Sequence, residues 1–182
     1  MDEVKNLDEA LSCYQYSIEQ NDQAPHVLVK IGKCFDRKRE YGEAVENYKK
    51  ALSLDPSNML TLFKIGWSMY KIGTVKEGLD KMRTSVASKD GLDPSNLLKL
   101  GELLTRDGDF QNLSEAKRLL SKANELKPQN PEILVALGRV NEKDQDLDKA
   151  RKCYQEAVDS PLTTNVNAYF YLGVVCEKQK DF

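Results

Sequence analysis

The chain has 182 residues, and 27 Lys and Arg stand against 29 Asp and Glu, which gives a formal net charge of −2. This balance provides no broad positive field for nucleic acid, and no segment approaches the roughly 18–20 consecutive apolar residues of a membrane-spanning helix. The length suffices for one domain or for one array of repeats, so we expect a soluble chain with no nucleic-acid partner and no membrane insertion.

The cysteine and histidine content disfavours most site chemistry. Cys13, Cys34, Cys153 and Cys176 are far apart and form no C-x-x-C pair, so a zinc site is not expected. His26 is the single histidine, and no glycine-rich phosphate-binding motif occurs. The N-terminus lacks the basic and apolar regions of a signal peptide, which favours free thiols in a reducing compartment. We predict no catalysis, no metal, no cofactor and a cytoplasmic location, with the nucleus or the cilium as alternatives.

Residues 25–58 have the pattern of two amphipathic helices joined by a turn. The apolar face of the first helix consists of Leu28, Ile31, Gly32 and Phe35, and that of the second consists of Tyr41, Ala44, Tyr48, Ala51 and Leu52. These spacings follow the helical period. Asp55 and Pro56 end the second helix, because proline has no backbone N–H and disfavours helix in the residue before it. Such a pair cannot bury both faces alone, so it must stack on copies of itself.

The copies are marked by a recurring glycine. Gly32, Gly66, Gly101, Gly138 and Gly173 follow one another at spacings of 34, 35, 37 and 35 residues. A helix–turn–helix unit with a period of about 34 residues resembles the tetratricopeptide-repeat (TPR) family over essentially the whole chain. The resemblance implies an all-α fold, a right-handed α-solenoid of about ten helices. It also implies that the first helix of each repeat lines a concave groove that holds peptides or helices of partner proteins.

We predict a single TPR solenoid over residues 1–182. It comprises the second helix of a truncated repeat (1–24), complete repeats at 25–58, 59–93, 94–130 and 131–165, and the first helix of a truncated repeat (166–182). The third repeat has three extra residues, which we place in a turn that Ser114 ends as the N-cap. Gly78 is expected to make its helix the least stable interior one. Neither end shows a polar capping helix, so we expect a fragment of a longer array that self-associates through its ends.

A candidate partner site lies on the first helix of the repeat at 59–93. Its groove side carries an apolar series, whereas the other first helices have mixed charges there: Leu60, Phe63, Trp67 and Tyr70. Tryptophan and tyrosine are enriched in binding hot spots. Basic residues are expected to border the series: Lys33, Arg37, Lys71 and Arg106. This predicts a peptide ligand with aromatic or aliphatic anchors and acidic residues. The alternative is that the aromatic residues pack on neighbouring helices and only stiffen the array.

The pattern favours a non-catalytic protein–protein interaction scaffold within a larger intracellular complex, in a eukaryotic cell. Two alternatives stay open: a substrate-recruiting arm of an enzyme whose catalytic domain lies elsewhere, and a structural strut that stacks through its ends. Chaperone-adaptor TPR domains use a Lys, Asn, Asn, Lys and Arg clamp for a terminal carboxylate. The corresponding positions here are Val29, Lys33, Lys64, Ser95 and Lys99, so binding of a chaperone tail is disfavoured.

Overall fold

The computed structural model describes residues 2–20, 24–107, 109–161 and 166–180, and within these it contains ten α-helices and no β-strand. The helices are α1 (Asp2–Gln20), α2 (Pro25–Lys38), α3 (Tyr41–Leu54), α4 (Met59–Ile72), α5 (Val75–Ala87), α6 (Pro94–Asp107), α7 (Phe110–Leu126), α8 (Pro131–Lys143), α9 (Leu147–Val158) and α10 (Val166–Lys180). A short 3-10 helix, Lys89–Gly91, follows α5. The all-α, helix–turn–helix architecture predicted from the sequence is confirmed.

Contacts between Cα atoms divide the chain into two compact units. Met1–Leu92 contains α1 to α5, and Asp93–Phe182 contains α6 to α10. Within each unit every helix packs on the next one along the chain, and α8 also contacts both α6 and α10. Each unit is therefore a stack of helix hairpins, in which every interior helix is covered by neighbours on both sides.

Glycines set the distance between the two helices of a repeat. A methyl group added to Gly32 would lie 2.5 Å from the ring of Tyr48, and one added to Gly138 would lie 2.2 Å from the ring of Tyr154. The corresponding position of α6, Gly101, is filled by the side chain of Leu120 at 2.6 Å. In each case a large side chain from the second helix occupies the space that a Cβ on the first would need. This explains why glycine marks the period of the sequence.

Both of these tyrosines also donate a hydrogen bond to a carboxylate. The Tyr48 hydroxyl donates to Oδ2 of Asp36 at 2.8 Å, and the Tyr154 hydroxyl donates to Oε2 of Glu142 at 3.0 Å. Both tyrosine rings are fully buried, and burial together with the carboxylate raises the pKa of each hydroxyl. A second donor reaches Asp36 from the next repeat, since the Ser68 hydroxyl lies 2.5 Å from its Oδ1. Hydrogen bonds thus satisfy polar groups inside the stack.

The hairpin of α4 and α5 is packed more closely than the others. A methyl group on Gly78 would lie 2.6 Å from the carbonyl oxygen of Gly66 and 2.7 Å from the backbone nitrogen of Tyr70. Ser85 is fully buried, and its hydroxyl donates to the carbonyl oxygen of Met59 at 2.5 Å. Both residues stand where the preceding repeat has alanine, and both make contacts with the backbone of α4 that alanine could not make. Gly78 therefore has a packing role beside its low helix propensity.

The three-residue insertion lengthens a helix instead of a turn. α7 has 17 residues and α3 has 14, and α7 begins at Phe110. The Asp109 side chain accepts a hydrogen bond from the backbone N–H of Asn112 at 2.7 Å, so Asp109 is the N-cap. The predicted turn and the predicted Ser114 cap are therefore wrong. Three residues make nearly one helical turn, so the insertion extends α7 while the buried face further along keeps almost the same direction.

Candidate partner-binding site

α4, which carries most of the predicted site residues, has well-defined ends. The Asn58 side chain accepts a hydrogen bond from the backbone N–H of Thr61 at 3.0 Å, which caps the start of the helix. Gly73 ends the helix with φ of 108°, a left-handed conformation that glycine adopts without strain. These two caps fix where α4 begins and ends, and thereby the face of the helix on which each side chain lies.

Two aromatic rings on α4 form a stack that a lysine caps. The rings of Trp67 and Tyr70 have centroids 6.3 Å apart and planes inclined by 14°. Nζ of Lys71 lies 4.8 Å from the centroid of the Trp67 ring, within the usual range of a cation–π contact. Both rings are half-buried and Lys71 is exposed. The structure thus brings three of the predicted residues into direct contact on a surface that solvent reaches.

The other two apolar residues of the predicted series differ in exposure. Leu60 is 43% exposed, whereas Phe63 is only 3% exposed and belongs to the core. The expectation that Phe63 faces a partner is therefore corrected. α4 is apolar on several faces, and on such a helix periodicity alone cannot separate a core residue from a surface residue.

The predicted basic residues lie on three helices, α2, α4 and α6. Lys33 and Arg37 are exposed and four residues apart on α2, and neither forms an ion pair with any residue that the structure describes. α2 and α4 both pack on α3, within the first unit. Arg106 is exposed on α6, in the second unit, and its carbonyl oxygen accepts a hydrogen bond from Nζ of Lys143 at 3.0 Å.

The second unit has an aromatic cluster that the sequence analysis did not identify. The Tyr171 and Tyr154 rings stack with centroids 5.5 Å apart, and Cζ of Arg139 lies 5.7 Å from the centroid of the Tyr171 ring. Phe170 meets Tyr171 edge to face at 5.4 Å and is 65% exposed. Three other first helices have lysine at the position that Tyr171 occupies in α10. This difference was the signal in the sequence from which the cluster could have been predicted.

One carboxyl group in the second unit has a shifted pKa. On α6, burial raises the pKa of the Glu102 carboxyl, while nearby Arg139 opposes that shift. Among the residues that the structure describes, no group of three or more His, Cys, Asp or Glu is placed to hold a metal ion. In the same residues, no helix combines the length and the apolar character needed to cross a bilayer.

Comparison with known proteins identifies the family. A profile described as TPR repeat matches residues 37–73, and a second, described as tetratricopeptide repeat, matches residues 94–161. Together they cover more than half of the chain, and the helix hairpins agree with them. The chain belongs to the tetratricopeptide-repeat family.

Individual relatives are distant. The BBSome complex member BBS4 homolog of Drosophila melanogaster is 24% identical over 126 residues, which are 69% of this chain and 24% of that protein. The chain thus spans about a quarter of the length of this curated relative.

Solved structures share the fold at low identity. PilW, a type IV pilus biogenesis factor, has a TM-score of 0.82 at 13% identity, with 97% of this chain and 80% of that one covered. YrrB, a TPR protein with an unusual peptide-binding site, has a TM-score of 0.69 at 20% identity, with coverages of 98% and 86%. The MamA protein has a TM-score of 0.71 at 20% identity, with coverages of 86% and 83%.

Proposed function

We propose that this chain is a non-catalytic protein-interaction scaffold and that it binds a short peptide on the exposed face of α4. The observation that carries the proposal is the stack of Trp67 and Tyr70 with Lys71 over the indole. Half-buried aromatic rings on a helix flanked by capped ends form a rigid surface, and such rings lose little conformational entropy on binding. Leu60, about two turns before Trp67 on α4, provides additional exposed apolar surface.

The charge of the neighbouring side chains indicates the ligand. Lys71 is exposed beside the stack, and Lys33 and Arg37 are exposed on α2 without an ion-pair partner among the described residues. A peptide that combines an aromatic or aliphatic anchor with acidic residues would place its anchor on the rings and its carboxylates near the basic groups.

The comparisons support a setting in which such a scaffold works. The Drosophila relative is by name a member of a multi-subunit complex, and YrrB is by title a protein with a peptide-binding site. We propose that this chain likewise contributes a binding surface to a larger intracellular complex in a eukaryotic cell, with the cilium as a candidate location. Under this proposal it has no catalytic role of its own.

The test uses a phage-displayed library of short random peptides selected on the wild-type chain. We expect the selected peptides to combine acidic residues with an aromatic or aliphatic anchor. In fluorescence anisotropy with a labelled selected peptide, Trp67→Ala should weaken binding about 30-fold, as expected for a hot-spot residue. Lys71→Glu should weaken it through charge reversal.

Two exposed positions elsewhere in the same unit provide matched controls. Tyr16→Ala removes a 65% exposed aromatic residue from α1, and Lys76→Glu reverses an exposed charge on α5. Both variants should bind like the wild type, and circular dichroism should show unchanged helicity in all four. Selected peptides that bind equally to the Trp67→Ala variant would refute this site. Selection of basic peptides would refute the proposed ligand class.

A further inference from the structure

A crevice opens inside the second unit between the ends of α7 and α9. Its volume is about 310 Å³, and its walls come from these two helix ends, from the α7–α8 connection and from the start of α8. No described residue of α1, α4 or α10 lines it, so the crevice is separate from the peptide site and from the first and last helices. The lining includes the apolar residues Pro128, Leu134 and Pro161 and the polar residues Asn124, Glu156 and Asp159.

Asn124 is a polar residue at a position that is apolar in the other second helices. It lies four residues after Leu120, the side chain that fills the space at Gly101. Oδ1 of Asn124 is buried, and no described residue donates a hydrogen bond to it. A buried acceptor without a donor destabilises the fold, so packing alone would favour an apolar residue here, as elsewhere. The residues in the same register are Ile18 in α1, Leu52 in α3, Val86 in α5 and Val158 in α9.

The backbone beside the crevice is strained at Gln129, which also lines it. Gln129 has φ of 59°, in the left-handed region that few residues other than glycine adopt. Arg39 and Gln145 share this conformation, but they lie in turns within a repeat, as Gly73 does, whereas Gln129 lies between two repeats. The Gln129 carbonyl oxygen accepts a hydrogen bond from the Ser160 hydroxyl at 2.8 Å. The crevice thus combines an unsatisfied acceptor with local strain, and such strain is common at binding sites.

The charge of the crevice indicates its ligand. Glu156 and Asp159 contribute carboxylates, and neither forms an ion pair with a residue that the structure describes. No lysine, arginine or histidine of the described chain lines the crevice. A ligand that fits must therefore be cationic, must donate several hydrogen bonds and must have an apolar stem for the proline and leucine surface. The arginine side chain has all three properties.

We propose that this crevice binds an arginine side chain of a partner protein. The guanidinium group donates to the carboxylates of Glu156 and Asp159 and to Oδ1 of Asn124, while its methylene stem lies on the apolar wall. Oδ1 is closed to solvent in the free chain, so the Asn124 amide turns about its Cβ–Cγ bond to meet the ligand. Lysine fits less well, because its donors share one nitrogen and cannot reach acceptors that lie apart. The site involves neither α2 nor α4, so it is independent of the peptide site.

Proton–nitrogen correlation NMR on the full chain tests the proposal, with Nα-acetylarginine amide as the probe. A single side chain should bind with a Kd on the order of 1 mM, which an NMR titration measures well. The probe should shift the side-chain amide signals of Asn124 and the backbone signals of Glu156 and Asp159. Nα-acetylcitrulline amide, which has a neutral group in place of the guanidinium, should bind roughly tenfold more weakly. Free arginine, an alternative source of the same group, should bind no more tightly than the capped probe.

Three variants separate binding from stability. Asn124→Leu introduces the residue type that α3 has in this register, so the urea midpoint should rise while affinity for the probe falls roughly tenfold. Glu156→Gln changes an exposed residue, leaves the core intact and should also weaken binding. Glu125→Gln is the matched control, because it makes the same charge change at an exposed residue of α7 that does not line the crevice. This variant should bind the probe like the wild type.

Four results would overturn the proposal. The first is a titration in which the capped arginine shifts no signal of the lining residues, and the second is equal binding of the citrulline probe. The third is tighter binding of free arginine, which would make the ligand a small molecule instead of a partner protein. The fourth is an Asn124→Leu variant that keeps its affinity or loses stability, since Asn124 would then serve packing.

Discussion

Replacing Gly78 by alanine has two opposite effects on the free energy of unfolding, a gain in helix propensity and a loss from overpacking. The structure predicts that the loss is larger. In an exposed helix the change would stabilise by up to about 1 kcal/mol, because alanine is the better helix former. Here the new methyl group would lie 2.6 Å from the Gly66 carbonyl oxygen and 2.7 Å from the Tyr70 backbone nitrogen. Both contacts are with backbone, which cannot rotate away as a side chain can.

The magnitude follows from these two contacts. Overpacking typically costs about 1–3 kcal/mol, and a double clash with backbone, which α4 and α5 relieve only by separating, lies near the upper end. Subtracting the propensity gain of about 1 kcal/mol leaves a net loss of about 2 kcal/mol in the free energy of unfolding. Gly42→Ala is the control, since its methyl group meets nothing within 4 Å and should change stability by less than about 1 kcal/mol in the favourable direction.

Urea denaturation provides the assay. Trp67 is the single tryptophan and lies on α4, so its fluorescence reports unfolding of this unit, while circular dichroism at the helix band reports the whole chain. The fluorescence midpoint should fall for Gly78→Ala and should stay equal or rise for Gly42→Ala. A Gly78→Ala variant at least as stable as the wild type would refute the argument that backbone contact at this crossing requires glycine.

Two further predictions concern ionisable groups. Burial raises the pKa of the Tyr48 hydroxyl above its ordinary value of about 10, so the folded state favours the neutral hydroxyl. The contribution of this preference to the free energy of unfolding is complete below about pH 10 and is lost as the pH rises further. The urea midpoint should therefore fall above about pH 10, and it should fall less in Tyr48→Phe; an identical decline in both proteins would contradict this. Burial also raises the pKa of the Cys153 thiol, whereas Cys13 is exposed, so iodoacetamide at pH 8 should label Cys13 first, as peptide mass spectrometry would show. Equal labelling rates would count against the burial of Cys153.

Helices and their hairpin pairing could be predicted from the sequence because both follow from local signals. The second helix of residues 25–58 was expected to end at Asp55 and Pro56, and α3 ends at Leu54, because proline stops a helix through local chemistry. The start of α7 could not be predicted in this way. Its position depends on competition between Asp109 and Ser114 as caps, and either residue type can cap a helix.

The candidate site was only partly predictable for a different reason. The sequence shows that α4 is apolar on several faces, but which of its residues the stack buries depends on the neighbouring helices. Trp67 and Tyr70 are reachable by solvent, whereas Phe63 is not. The cluster around Tyr171 was overlooked because its members are on three different helices, α8, α9 and α10, and no single window of sequence contains them.

The carboxylate of Asp36 has a consequence for how the first unit melts. One of its oxygens accepts from Tyr48 of the same repeat, and the other accepts from Ser68 of the following repeat. Opening either hairpin alone would leave the half-buried Asp36 carboxylate or a buried hydroxyl without its hydrogen bond. In a one-dimensional repeat array, such shared groups strengthen nearest-neighbour coupling relative to the intrinsic stability of each repeat. The smallest cooperative segment around Asp36 is therefore larger than one repeat and includes α2, α3 and α4 together.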